Sequence, residues 1–120
     1  MIMKISKVAQ LLNAQVICGE ELLDNEVETA CGADMMSDVL AFVKDRALLL
    51  TGLVNPQVVR TAEMMDIRCI AFVRGKQPND MIIELAKELS IVLLTTEERL
   101  YAACGILYSA GLNPDGGIRS

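Results

Sequence analysis

With 120 residues, the chain is long enough to bury one hydrophobic core and too short for two domains. Hydrophobic residues make up 52% of it, yet only two Phe, two Tyr and no Trp occur, so the core must consist of Leu, Ile, Val, Met and Ala, as in a sheet covered by helices on both faces. The net charge of −5 and the scattered Lys and Arg argue against a nucleic-acid partner, and the apolar runs are too short to span a membrane.

The spacing of apolar residues predicts a succession of short strands and helices. The first half of the chain is irregular, whereas continuous apolar runs and amphipathic stripes alternate regularly from residue 47 onward. The predicted elements are, in chain order, a helix over 5–13, strands over 15–18 and 27–31, a helix over 36–43, a strand over 47–51, a helix starting at 56, a strand over 68–73, a helix whose buried face spans 82–89, a strand over 91–94 and a helix whose stripe spans 100–108.

Polar residues mark the expected helix starts. Asn55 followed by Pro56 is a specific start signal, because Asn caps free N–H groups and Pro suits the first helical position. The other candidate caps are Ser6 for the first helix, Asp34 or Ser37 for the second, Asn79 or Asp80 for the fourth, and Thr95, at capping-box spacing from Glu98, for the last.

Three strand–helix units in succession predict a parallel sheet with right-handed crossovers and helices on both faces. The first half is expected to add one or two strands, antiparallel pairing being allowed. The predicted fold is therefore a three-layer α/β/α sandwich around a mixed, mostly parallel sheet of about five strands. We expect a single domain over residues 1–111 and a flexible C-terminal tail over residues 112–120, where Gly and Pro end the last helix.

In such a sheet, ligands bind beyond the carboxyl ends of the strands, an edge that we call the crest. Hydroxyls, an amide, a guanidinium and helix N-termini would meet there and suit a phosphate or a nucleotide tail. The alternative is purely structural, because caps and tight turns need the same residue types. The candidate ligand-binding residues are Gly32, Asp34, Thr51, Gly52, Asn55, Arg74, Gly75, Thr95 and Thr96.

Catalytic motifs are absent from the sequence. It contains no G-x-x-x-x-G-K-[ST], G-x-G-x-x-G or G-x-S-x-G, and without His a Ser or Cys nucleophile lacks its usual base. We therefore predict that the chain is not an enzyme and binds neither a cofactor nor a metal. The four cysteines lack metal-site spacing and are expected to be buried free thiols: Cys18, Cys31, Cys69 and Cys104.

The stretches LTGLVNPQVVR (50–60), DIRCIAFVRG (66–75) and SIVLLTT (90–96) resemble the DRTGG domain family. The opening VAQLLNAQVICG (8–19) is similar to the start of the N-terminal domain of HPr kinase/phosphorylase. Together these stretches cover the chain to about Gly111. Of the Asp-Arg-Thr-Gly-Gly string that names the family, Thr51-Gly52 is present here.

The resemblance implies an α/β/α sandwich like that N-terminal domain and like the N-terminal domain of the Mur ligases. It also implies an accessory, regulatory role, since the domain occurs in some phosphotransacetylases and between paired CBS modules of some inorganic pyrophosphatases. The P-loop of HPr kinase lies in a separate domain, so no kinase activity is implied. Stand-alone members, of which this chain is expected to be one, are encoded near iron-only hydrogenase and related redox subunits.

Two functional hypotheses follow. The first is a regulatory module that senses a small phosphorylated ligand or nucleotide at the crest and modulates a metabolic or hydrogenase-related redox enzyme. The second is a protein-interaction or dimerisation module without a small-molecule ligand, suggested by the high apolar fraction and by the pairs Met35-Met36 and Met64-Met65. A homodimer and a cytoplasmic location, with no signal peptide, are expected.

Overall fold

A computed structural model of the chain describes residues 2–42 and 46–112. Within them the chain forms seven strands, five α-helices and one 3₁₀ turn. The elements are, in chain order, β1 (Met3–Lys4), α1 (Ile5–Leu11), β2 (Gln15–Cys18), the 3₁₀ turn (Glu20–Leu22), β3 (Glu26–Val27), β4 (Thr29–Gly32), α2 (Met36–Phe42), β5 (Ala47–Thr51), α3 (Pro56–Met64), β6 (Cys69–Phe72), α4 (Asp80–Glu88), β7 (Val92–Thr95) and α5 (Leu100–Ser109).

The main sheet has five strands in the order β2-β7-β6-β5-β4. Strands β4 to β7 are parallel, and β2 joins antiparallel at the edge beside β7. The predicted mixed α/β sheet of about five strands is therefore confirmed. The predicted strand over 27–31 is split, because Val27 pairs with Met3 in a separate two-stranded ladder whereas Thr29 pairs with Ala47 in the main sheet.

Both faces of the sheet are covered, which explains why β5, β6 and β7 are buried along their whole length. One face packs against α1 and α5, and the other against α2, α3 and α4. Alternate strand residues enter the two core layers, Leu48 and Leu50 on the first and Leu49 and Phe72 on the second. This arrangement is the predicted three-layer sandwich.

Two of the predicted helix caps are confirmed. The side-chain oxygen of Asn55 accepts a hydrogen bond from the Val58 N–H at 3.1 Å, and that of Asn79 accepts one from the Ile82 N–H at 3.0 Å. Each side chain therefore satisfies one of the free N–H groups at the start of its helix.

The predicted caps of the first and last helices are wrong. Ser6 lies within α1, and its N–H donates to the Leu23 carbonyl, so the adjoining loop takes the place of a side-chain cap. Thr95 lies within β7, because its backbone pairs with both neighbouring strands, and α5 begins only at Leu100. The spacing of Thr95 and Glu98 is thus not a capping box.

The buried segment of the chain reaches at least to Leu112, whose N–H donates to the Leu107 carbonyl and whose side chain is buried. The rest of the predicted tail, residues 113–120, lies outside the described residues, as does Val43 of the predicted second helix. No helix in the described part of the chain is both long and apolar enough to cross a membrane.

The four cysteines are free thiols, as predicted, but not all are buried. Cys18 and Cys69 lie in the core, whereas Cys31 in the edge strand β4 and Cys104 in α5 are half-buried. Burial raises the pKa of each thiol above its ordinary value.

Candidate functional site

The crest is built by the loops that follow β4, β5, β6 and β7, because these parallel strands end at the same edge of the sheet. Backbone hydrogen bonds extend the sheet into these loops. The Val73 N–H donates to the Thr51 carbonyl at 3.0 Å, and the Thr96 N–H donates to the Phe72 carbonyl at 2.9 Å. The loops are therefore held side by side at fixed spacing.

Asp34 connects two of these loops through one carboxylate oxygen. Its Oδ1 accepts hydrogen bonds from the Gly52 N–H at 2.8 Å and from the Thr51 hydroxyl at 3.0 Å. The Thr51 hydroxyl also accepts from the Leu53 N–H at 3.1 Å. Asp34 thus holds the β5–α3 loop against the β4–α2 loop. These hydrogen bonds direct its carboxylate to the β5–α3 loop and not to the start of the second helix, where it was predicted to act as a cap.

Arg74 places a cation on the crest. Its backbone adopts the left-handed conformation, with φ of 60°, and its N–H donates to the Glu98 carbonyl at 2.8 Å. The guanidinium lies against Gly52, where an added methyl group would come within 2.6 Å of Nη2. Among the described residues, no carboxylate oxygen lies within 4.0 Å of this exposed guanidinium.

Glu97 places a carboxylate beside Gly75, the residue that follows Arg74. An added methyl group on Gly75 would come within 2.7 Å of Glu97 Oε2, and the Gly75 N–H donates to the Thr96 carbonyl at 2.8 Å. Glu97 is not among the residues that the sequence analysis selected for the crest. Its position directly after Thr96, at a strand end, is the signal that could have identified it.

Thr95 and Thr96 use their hydroxyls within the protein. Thr95 donates to the Lys76 carbonyl at 2.6 Å, and Thr96 donates to the Leu12 carbonyl at 2.7 Å. Thr96 also accepts from the Glu98 N–H at 3.2 Å. Both side chains are buried, so in this conformation they hold loops together instead of facing a ligand.

The remaining candidates are spread along the crest. Asn55 caps α3, and Gly32 faces α5, where an added methyl group would come within 2.6 Å of Cys104 Sγ. The structure therefore brings four of the nine candidates into one group, formed by Asp34, Thr51, Gly52 and Arg74.

A cleft of about 450 Å³ lies at the opposite edge of the sheet, beside the start of β5. Its two arginines are engaged with carboxylates of the chain. Arg46 lies 3.5 Å from Glu28, and Arg68 lies 2.9 Å from Asp66. Arg74 on the crest differs from both, because it has no such partner in the described part of the chain.

The fold and the crest define a three-layer α/β/α domain whose polar loops gather at one edge of a mixed sheet. The family model described as the DRTGG domain matches residues 7–110, so the chain belongs to the DRTGG domain family. The resemblance of the strand and loop segments to this family is thus confirmed.

Among solved structures, the chain is similar to the crystal structure of the CBS and DRTGG domains of the regulatory region of Clostridium perfringens pyrophosphatase, complexed with its activator diadenosine tetraphosphate. The TM-score is 0.70 at 18% sequence identity, and the alignment covers 98% of this chain and 50% of that chain. The present chain therefore spans about half the length of that regulatory region. No curated protein matches the sequence.

Proposed function

We propose that the chain is a non-catalytic regulatory domain that binds a small phosphorylated ligand or nucleotide at the crest and thereby modulates a metabolic or redox enzyme. Family membership supports this proposal, because a similar fold occurs in a pyrophosphatase regulatory region that was crystallised with a nucleotide activator. The observation that carries it is the Arg74 guanidinium, which lies against the backbone of Gly52 with no carboxylate partner among the described residues.

The carboxylate of Asp34 already accepts hydrogen bonds close to Arg74. The Asp34 carboxylate accepts from the buried Thr51 hydroxyl and from the Gly52 N–H, and an exposed backbone N–H of this kind can bind a phosphate oxygen. A phosphate group carries more charge and more acceptor oxygens than a carboxylate, and the guanidinium of Arg74 can bind two of them. The ligand therefore competes with Asp34 for the Gly52 N–H.

This competition could couple ligand binding at the crest to a change in the β4–α2 loop. When a phosphate accepts the hydrogen bond of the Gly52 N–H, Asp34 loses one of the hydrogen bonds that hold the β4–α2 loop against the β5–α3 loop. The start of α2, only two residues after Asp34, is then free to shift. A partner enzyme that contacts this loop would distinguish the free from the bound state.

The negative charge of Glu97 restricts which ligands can bind beside Arg74. Its carboxylate lies against Gly75, the residue that follows Arg74 in the chain. A second anionic group would be repelled there, whereas a hydroxyl or amino group could donate a hydrogen bond. A nucleotide offers both a phosphate and such donors, and it therefore fits the crest better than inorganic phosphate or a polyanion.

The test is calorimetric titration and thermal shift of the full chain with nucleoside mono-, di- and triphosphates. Arg74→Ala is expected to weaken binding by about 10- to 100-fold, because a hydrogen bond to a charged group contributes about 1.5–3 kcal/mol. The matched control is Arg68→Ala at the opposite edge of the sheet, which should bind like the wild type. Equal affinity of the Arg74 variant and the wild type would exclude the crest, and absence of binding by every nucleotide would refute nucleotide sensing.

The substitution Asp34→Asn distinguishes whether the Asp34 carboxylate competes with the ligand or only holds the two loops together. Asparagine keeps the accepting oxygen at the Gly52 N–H but removes the negative charge, so the affinity for nucleotides is expected to rise by several-fold. If Asp34 only supports the loops, the substitution should leave the affinity unchanged or lower it. Urea unfolding of the same variant shows whether the loop contacts have survived.

A second candidate function is a protein-interaction module, and one observation favours it. The side chain of Tyr101 on α5 is 92% exposed, in a helix that contains no charged residue. Of the methionine pairs, Met35 and Met64 are exposed as well. Exposed apolar surface of this kind is typical of contact sites.

A further inference from the structure

The backbone conformation of Gly52 does not require a glycine. Among the described glycines, the left-handed region is occupied by Gly19, Gly75 and Gly111, and the φ of Gly52 lies outside it. An L residue with a side chain is strained at the first three positions but not, on this count, at Gly52. The reason for a glycine at position 52 therefore lies in what surrounds it.

The space that a side chain of Gly52 would occupy is filled by the guanidinium of Arg74. A methyl group added to Gly52 would lie 2.6 Å from Nη2 and 3.3 Å from both Cζ and Nε. The first distance is far below the separation of about 3.5–4.0 Å that non-bonded carbon atoms prefer. Three atoms of the guanidinium group thus lie over the Cα of Gly52, and an alanine there would displace them.

The backbone of Arg74 is held in place as well. Arg74 and Gly75 both have positive φ, of 60° and 67°, as in a type I′ turn. The turn is closed by the Lys76 N–H, which donates to the Val73 carbonyl at 3.3 Å. The Arg74 N–H joins the turn to the neighbouring loop by donating to the Glu98 carbonyl at 2.8 Å. The side chain therefore starts from a fixed point, and the contact with Gly52 limits where its guanidinium can lie.

This placement brings two donors within reach of one phosphoryl group. Two covalent bonds separate the Gly52 nitrogen from the added methyl group, so Arg74 Nη2 lies no more than about 6 Å from that nitrogen. Hydrogen bonds of about 2.9 Å from the two donors to different oxygens of one phosphate can span such a distance. A guanidinium that is already in place also loses less rotamer freedom when the phosphate binds.

We propose that Gly52 is a positioning residue for Arg74, a role that rests on the ligand site proposed above for the crest. Because Gly52 has no side chain, the Arg74 guanidinium lies over its Cα and binds the same phosphoryl group of the nucleotide as the Gly52 N–H. Any larger residue at position 52 moves the guanidinium away, and the ligand must then order a mobile side chain.

The direct test is the mobility of the Arg74 side chain in the ligand-free chain, measured by ¹⁵N relaxation as the order parameter of its Nε–H group. In the wild type, Arg74 is expected to be more ordered than Arg60, an exposed arginine on α3. In Gly52→Ala, its order parameter should fall to the level of Arg60. The variant Arg74→Lys identifies the signal. Equal order parameters of Arg74 in the wild type and in Gly52→Ala overturn the proposal.

The fold is expected to tolerate the substitution. The atoms that the methyl group meets belong to the end of a flexible side chain, so they can move without disturbing the backbone. Alanine also restricts the unfolded chain more than glycine does, so the melting temperature of Gly52→Ala should be equal to or above that of the wild type. A lower melting temperature would assign Gly52 to the fold instead.

Gly105→Ala is the matched control for adding a methyl group to a glycine. At Gly105 the methyl group meets no atom of the described chain within 4 Å. This variant should therefore leave both the mobility of Arg74 and the binding of nucleotides as they are in the wild type.

Nucleotide binding tests whether Gly52 acts through Arg74. Titrated with the nucleoside mono-, di- and triphosphates named above, Gly52→Ala is expected to bind about 2- to 10-fold more weakly than the wild type, which corresponds to the cost of immobilising one side chain. In the Arg74→Ala background, the same substitution should cause no further loss. A further loss of equal size would show that the methyl group obstructs the ligand itself, and this would overturn the positioning role.

Failure of the positioning role is distinguishable from failure of the ligand site. If Arg74→Ala weakens binding and Gly52→Ala does not, the crest remains the ligand site and the role of Gly52 is refuted. If the wild type binds no nucleotide, the sensing function fails, whereas the order parameter of Arg74 still decides whether Gly52 positions its side chain.

Discussion

The substitution Thr96→Val tests the hydrogen bond between the crest and the end of the first helix. Thr96 is 2% exposed, and its hydroxyl donates to the Leu12 carbonyl at 2.7 Å and accepts from the Glu98 N–H at 3.2 Å. The first bond joins segments that are 84 residues apart in the chain. Valine has nearly the same volume as threonine, so the substitution removes the hydroxyl without opening a cavity.

The expected cost follows from the groups that lose a partner. A buried donor or acceptor left without a hydrogen bond costs about 1–3 kcal/mol. The Leu12 carbonyl is bonded to the buried hydroxyl, whereas Glu98 is half-buried, so water can partly replace its bond. We expect Thr96→Val to lower the free energy of unfolding by about 2–3 kcal/mol, which for a domain of this size corresponds to roughly 6–15 °C in melting temperature.

Urea unfolding followed by far-UV circular dichroism measures this change, with an unchanged slope showing that the folded state is intact. Thr95→Val is the matched control, because it removes a single bond to the Lys76 carbonyl and should cost about 1 kcal/mol. A loss below about 0.5 kcal/mol for Thr96→Val would refute the reasoning, since typical neutral surface changes are of that size. The hydroxyl would then be free for another role, such as contact with a ligand.

Two further predictions concern helix starts and thiols. Asn55→Ala and Asn79→Ala should each lower the free energy of unfolding by about 1 kcal/mol, because each removes the side-chain oxygen that accepts from an N–H group at a helix start. Thermal unfolding measures this change, and a loss below about 0.3 kcal/mol in both variants would contradict the capping role. Burial raises the pKa of the Cys18 and Cys69 thiols above the ordinary value of 9.0, so the folded chain keeps protons that the unfolded chain releases. The free energy of unfolding should therefore be constant below about pH 8 and fall as the pH rises above about 9. Urea unfolding measures it, and a free energy of unfolding that stays constant or rises up to about pH 10 would contradict the predicted direction.

The sequence alone determined the second half of the fold. Each strand from residue 47 onward is buried on both faces, so it must be a continuous apolar run such as Leu48 to Leu50, and this pattern is readable without any partner. The caps Asn55 and Asn79 were equally readable, because they bond to N–H groups only three residues ahead. The strand ends that form the crest followed directly from these elements.

The tertiary structure decided everything that depends on distant pairing. Thr95 and Glu98 have the spacing of a helix cap, yet the pairing of Thr95 with Gln15 and with Phe72 keeps it in a strand. Asp34 likewise bonds to the Gly52 N–H, across two loops, although a local reading assigns it to the next helix. The place of β2 at the antiparallel edge also depends on its partner β7, which lies at the other end of the chain.

The same distinction applies to the functional residues. Periodicity identified which residues stand at the strand ends and so placed both Gly52 and Arg74 on the crest, but only the structure shows that the two are in contact. Whether a hydroxyl or carboxylate there faces a ligand or bonds to the protein was decided by contacts such as that of Thr96 with Leu12. Local spacing fixes helices and strands because their hydrogen bonds and buried faces are local, whereas the partners of crest side chains are set by how distant segments pack.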